Sequence, residues 1–100
     1  MPLKMNVVFF GEARDLSGLK SVGITIEKAR CTAADFFDAV NVVTGGKLVA
    51  RVFVKGKGAW NLAKGYKLMV NKCILDDVDE ARISFKNNDE IGILPPFSGG

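Results

Sequence analysis

The chain has 100 residues, of which 48% are hydrophobic and 25% charged, and its net charge is +3. That is one domain's length, and seven Phe with many Val, Ile and Leu exclude disorder. No apolar run approaches the roughly 18 residues a membrane span needs, and histidine is absent, which removes Ser-His-Asp and Cys-His catalysis and His zinc sites.

Residues 4–10 read as a strand, with Met5, Val7 and Phe9 on one side and Val8 and Phe10 on the other. Apolar residues on both sides predict a central strand whose second face is used. Gly11 ends it, and residues 12–19 are polar and turn-like, with Asp15, Ser17 and Gly18. Residues 22–27 alternate, Val22, Ile24 and Ile26 inward, as an antiparallel partner with one wet face. Thr32 opens a helix through a capping-box pattern with Asp35, and Ala33, Phe36, Phe37 and Val40 form its apolar stripe. Gly45-Gly46 stops it. Residues 48–54 fit either a strand or a short helix, and Gly56 and Gly58 bracket a loop. Residues 67–70 and 73–75 read as strands around an Asn71-Lys72 turn. Residues 76–80 form an acidic loop, and residues 90–94 form the last strand.

The order is strand, strand, helix, then two or three strands. A helix over one face of a mixed sheet buries both apolar faces in two layers, which is an α+β class. The arrangement expected is a β-grasp with one main helix and with the first and last strands paired in the middle. Residues 1–94 are expected to form that single domain, and residues 95–100 an extended tail.

The tail carries the chemistry. Pro95 and Pro96 have no N–H, so they cannot extend the sheet ladder. Phe97, Ser98, Gly99 and Gly100 follow. Six residues reach at most about 20 Å. A Gly-Gly end is slim enough for a narrow channel and takes backbone angles closed to other residues. The terminal carboxylate is then a reactive group on a stalk. Terminal glycines alone are often only a frayed end. Strand, Pro-Pro, aromatic, Ser and Gly-Gly in that order is more specific.

With residues 8–16 (VFFGEARDL), Val70-Asn71-Lys72 and residues 89–96 (DEIGILPP) through Gly99-Gly100, the sequence resembles the small subunit of molybdopterin synthase, a MoaD-type ubiquitin-like sulfur carrier of the MoaD/ThiS family. The likeness covers most of the chain except residues 47–65, which are longer and more basic than that pattern, and Leu94 stands where the family often has an aromatic residue.

The resemblance implies a carrier with no active site of its own. An E1-like adenylating enzyme would join the Gly100 carboxylate to AMP, using its own ATP, and a sulfur donor would convert it to a thiocarboxylate. The sulfur would then reach cyclic pyranopterin monophosphate in the large synthase subunit, two loaded carriers making one dithiolene, in a heterotetramer of two small and two large subunits. The chain itself would bind no cofactor and no metal. Phe10, Ile74 and Leu94 are by resemblance the patch that docks the large subunit, with plain core packing as the alternative. Arg14 aligns with a loop arginine of the family and would either meet an acidic partner or be solvated.

Related destinations remain open: thiazole synthesis, tRNA thiolation, conjugation to lysine, or an inert binding module. Pro95-Pro96 favours the molybdopterin route over the first three. Residues 39–75 hold no Asp or Glu but seven Lys and Arg with Phe53, Trp60 and Tyr66, a pattern nearer to a solvated basic face or a dock for acidic partners than to a nucleic-acid site. The opening residues lack the long apolar core of a signal peptide, so a cytoplasmic protein is expected, and Cys31 and Cys73 are expected to be thiols without a role in sulfur transfer.

Overall fold

The computed structural model describes residues 2–56, 60–75 and 84–96. In chain order the elements are β1 (Leu3–Phe9), α1 (Gly11–Ser17), β2 (Ser21–Ile26), β3 (Cys31–Thr32), α2 (Ala33–Val43), β4 (Phe53–Lys55), β5 (Trp60–Leu62), β6 (Lys67–Val70), β7 (Cys73–Ile74), β8 (Ser84–Phe85) and β9 (Glu90–Leu94).

Alternation along β1 puts Met5, Val7 and Phe9 on the core side, where all three are buried. β2 pairs antiparallel with β1, and Ile24 and Ile26 join the same core. β9 lies on the other side of β1 and runs parallel to it, Val7 facing Ile91 and Phe9 facing Ile93. β6 pairs antiparallel with β9, and β7 returns beside β6 to give the order β2-β1-β9-β6-β7. The β6–β7 turn puts Asn71 at φ +48° and Lys72 at φ +73°, the left-handed pair that matches strand twist in a two-residue hairpin. The first and last strands are therefore central neighbours, as expected.

α2 starts where its sequence says. The Asp35 N–H donates to Thr32 Oγ1 at 3.3 Å, and the Thr32 N–H donates to Asp35 Oδ2 at 3.1 Å. Phe36, Phe37 and Val40 are buried against the sheet, with Phe36 packed on Phe85 and Phe37 on Phe53, at ring separations of 4.8 and 5.3 Å. Gly45 and Gly46, at φ +63° and +76°, turn the chain away after the Thr44 cap. Sheet and helix form the β-grasp arrangement.

Three segments depart from the sequence reading. Residues 12–19 are not simply a turn, because α1 occupies Gly11–Ser17 and buries Ala13 and Ser17. Two turns are too short to display a 3.6-residue period, and the Gly18 N–H, donating to the Arg14 carbonyl at 2.9 Å, closes the helix at once. Residues 48–54 are neither one strand nor one helix. Leu48 and Val52 are fully buried from turns, and only Phe53 opens β4, which pairs with β5. The β3–β8 ladder also escaped notice, being two residues on each side. The acidic loop at 76–80, Gly58 and the tail residues Phe97, Ser98, Gly99 and Gly100 lie outside the described residues. Among the described residues, no helix is long and apolar enough to cross a membrane.

Candidate functional site

β9 ends at Leu94, whose partner in β6 is Lys67. The next two residues cannot continue the ladder, and the chain must turn off the sheet there. Two glycines decide where it goes. A Cβ on Gly11 would stand 3.0 Å from Cγ of Pro95, and a Cβ on Gly65 would stand 2.8 Å from Cβ and 3.1 Å from Cγ of Pro96. Each proline ring thus rests on bare backbone. Both glycines also hold positive φ, +56° and +90°, which side chains disfavour. Pro95 is half-buried in its seat, and Pro96 is exposed.

The two seats are tied together. Gly11 is followed by Glu12 at the start of α1, and Gly65 by Tyr66 ahead of β6. The Tyr66 hydroxyl donates to Glu12 Oε1 at 2.6 Å, while Arg51 Nη1 stands 3.5 Å from Glu12 Oε2. Tyr66 is 6% exposed. Burial, and then the hydrogen bond to a carboxylate, push its phenol up to about 12, so it remains a neutral donor.

Beside this root lies an apolar patch on the sheet face opposite the core. Phe10 is 37% exposed and Ile74 60% exposed, so neither is core, and Leu94 is half-buried. Gly92 makes room for the patch: a Cβ there would lie 3.1 Å from Phe10 Cε2 and 3.2 Å from Met69 Cε. Met69 faces Ile74 across β6 and β7. The register that pairs Phe9 with Ile93 places Phe10 and Leu94 next in line on neighbouring strands. Arg14 is exposed on α1. In the sequence Gly11 reads as a strand end, Glu12 and Gly92 as parts of the quoted motifs and Tyr66 as one aromatic of the basic stretch, and none of them, nor Gly65 or Met69, is marked as part of this root. Nothing in a sequence announces a bond between residues 54 positions apart.

Cys31 is fully buried, and burial pushes its thiol up to about 11, while Cys73 is exposed on β7; both are free. Among the described residues, no cluster of three or more Cys, Asp or Glu side chains is arranged to hold a metal ion. An open hollow of about 300 Å³ lined by Lys28, Asp35 and Asp38 lies by the Ile26 end of β2, which pairs with Leu3 at the start of β1, far along that strand from Phe10.

The family model described as the ThiS family matches residues 7–100. No curated protein matches the chain. Among solved structures, the crystal structure of small archaeal modifier protein 1 from Haloferax volcanii superposes with a TM-score of 0.76 at 23% identity, covering 97% of this chain and 99% of that one. The solution structure of small archaeal modifier protein 1 from Methanosarcina acetivorans gives 0.72 at 23% identity over 100% and 99%. A Pyrococcus furiosus protein assigned as molybdopterin converting factor, subunit 1, gives 0.64 at 17% identity over 94% and 98%. At these identities the structures speak for the β-grasp fold.

Proposed function

The chain belongs to the ThiS family, and from that premise we propose that it is a ubiquitin-like sulfur carrier that works through the carboxylate of Gly100. A carboxylate is a poor electrophile. A partner adenylating enzyme transfers AMP from ATP to it and releases pyrophosphate. A donor persulfide then displaces AMP, and a second thiol attacks the donor-side sulfur of the resulting acyl disulfide, breaking its S–S bond to release the thiocarboxylate and forming a disulfide with the donor. Phe97, Ser98 and Gly99 tether that group to the domain, and the patch of Phe10, Ile74 and Leu94 docks the enzymes that use it, with Arg14 at its margin.

The destination we favour is molybdopterin synthase: the large subunit takes the carrier's tail, supplies acid–base groups and pterin contacts, and receives the sulfur on cyclic pyranopterin monophosphate. The observation that carries the reading is the seating of Pro95 and Pro96 on Gly11 and Gly65, beside an exposed apolar patch. The Pro-Pro pair and the likeness to the Pyrococcus protein support the pterin destination. Two of the similar structures are small archaeal modifier proteins, which favours as a second reading conjugation of Gly100 to lysine side chains of other proteins.

The test is intact mass after incubation with ATP, an adenylating enzyme and a sulfur donor. The expected product differs from the starting protein by exchange of one oxygen for sulfur at Gly100, and deletion of Gly100 or addition of one residue after it abolishes the exchange without unfolding the domain. One residue changes the reach by roughly 3.3–3.6 Å, as large as the attack distance itself. Full activity of the extended chain overturns the carrier reading. Product formation with a large subunit supports the pterin destination, and isopeptide adducts on lysine support the second.

A further inference from the structure

We propose that the Tyr66–Glu12 hydrogen bond is a tie that sets the direction in which the chain leaves the sheet, which makes Tyr66 and Glu12 positioning residues for the reaction at Gly100. This rests on the carrier reading above.

The two proline seats belong to segments that do not pair with each other in the sheet. Gly11 begins α1 one residue after β1, and Gly65 lies between β5 and β6, so the seats adjoin the two strands that flank β9. Each seat is one residue away from one end of the tie. β1 and β6 flank β9 and set the coarse separation of the seats, and the 2.6 Å bond joins the two seat-bearing segments directly beyond the strand ends, where the ladders no longer hold them. Tyr66 is held by its own burial, and its side chain cannot wander from Glu12 without leaving the core cluster. Arg51, 3.5 Å from the second carboxylate oxygen, is placed to keep Glu12 turned toward Tyr66.

The reach beyond Pro96 explains why separation matters. Residues 97–100 reach at most about 13–14 Å beyond Pro96. A swing of about 15° about the root displaces a point roughly 13–14 Å away by about 3.5 Å, the whole attack distance of a well-placed reactant. The prolines stiffen the root and transmit its angle rather than absorbing it. Loosening the tie leaves the docking patch intact, so the effect falls on the bound complex and not on its formation.

The test uses the full chain and three variants. Tyr66→Phe keeps the buried ring and removes the hydroxyl. Glu12→Ala removes the acceptor from the exposed side, and Glu12→Gln keeps an acceptor oxygen. The first readout is the proton cross-peaks between Pro95 and Gly11 and between Pro96 and Gly65 in nuclear Overhauser spectra. The second is single-turnover adenylation by the partner enzyme, as a function of its concentration. Tyr66→Phe and Glu12→Ala are expected to weaken both cross-peaks and to lower the saturating rate about tenfold, with the half-saturating concentration within about twofold, as misplacement of a reacting group demands. Glu12→Gln is expected to restore both. Intact cross-peaks in Tyr66→Phe overturn the tie, and lost cross-peaks with an unchanged rate overturn its positioning role. If Tyr66→Phe fails to fold, Glu12→Ala decides through the same two readouts. If the native chain is never adenylated, the carrier reading falls, while the cross-peaks still judge the tie.

Discussion

Replacing Gly65 by alanine separates the root of the tail from the stability of the domain. Two effects act at that position. The backbone sits at φ +90°, where an L side chain costs about 1–2 kcal/mol. The new Cβ would also lie 2.8 Å from Cβ of Pro96, closer than carbon atoms approach, so the proline must lift from its seat. Gly18 provides the control, because its φ is +74° and nothing stands within 4 Å of a Cβ there. Gly18→Ala therefore meets the backbone penalty alone. The backbone penalty alone should lower each variant's melting temperature by roughly 4–16 °C, from about 4–8 °C per kcal/mol for a domain of this size. Sulfur transfer divides them: Gly18→Ala transfers at the native rate, and Gly65→Ala falls at least tenfold by misdirecting the reactive end. Melting curves and single-turnover transfer on the two proteins side by side check this. Native transfer by Gly65→Ala would show that the Pro96 seat is incidental.

Phe10→Asp and Ile74→Asp should each weaken partner binding by at least about 100-fold in calorimetric titration, because a dry contact would bury an unpaired carboxylate. At 37% and 60% exposure, neither should lower the isolated domain's stability by more than about 1 kcal/mol, and a sharp fall in melting temperature would make them core residues instead. Tyr66 is the sole tyrosine, so its phenolate absorbance can be read directly; it should appear near pH 12 in the folded chain and near pH 10 in denaturant. The raised value favours the neutral form in the fold, so this contribution, at most about 2–3 kcal/mol, is complete below pH 10 and is lost between pH 10 and 12, a loss that Tyr66→Phe should not show. A thiol reagent at mild pH should modify Cys73 quickly and Cys31 only on unfolding, and Cys73→Ser should abolish the fast phase; two fast phases would contradict the burial of Cys31.

The parts of the fold that sequence reveals are those where one short-range rule decides. Residues 90–94 read as a strand because Asn87-Asn88-Asp89 punctuates one end and Pro95 the other, and β9 spans Glu90–Leu94. The Thr32–Asp35 box is a local reciprocal bond, and it forms as written. The middle of the chain obeys no such rule. Leu48, Val52 and Phe53 are fully buried, yet Leu48 and Val52 enter the core from turns and Phe53 from the first residue of β4, so no single period spans all three. The root of the tail is legible in half: the prolines announce an exit, but their seats are glycines, whose role is to have nothing there. Only the fold brings Gly11 and Gly65 to the same place.

Strand direction explains why the exit and the apolar patch adjoin. β9 runs parallel to β1, so both strands end at the same edge of the sheet, and Leu94 leads to Pro95 where Phe9 leads to Phe10 and Gly11. Had β9 run antiparallel to β1, its end would lie by Leu3, a strand's length from the patch. The exit also comes from the middle of the sheet rather than its rim, since β9 is held by β1 on one side and β6 on the other. Central strands open only with global unfolding, whereas edges and ends fray. A tail rooted there has a fixed origin as long as the domain is folded. On the carrier reading, a partner that covers Phe10 and Ile74 would meet the chain's exit at a set distance from its own surface, and the encounter of enzyme and Gly100 would become a step within one complex, with the gain in effective concentration that tethering confers.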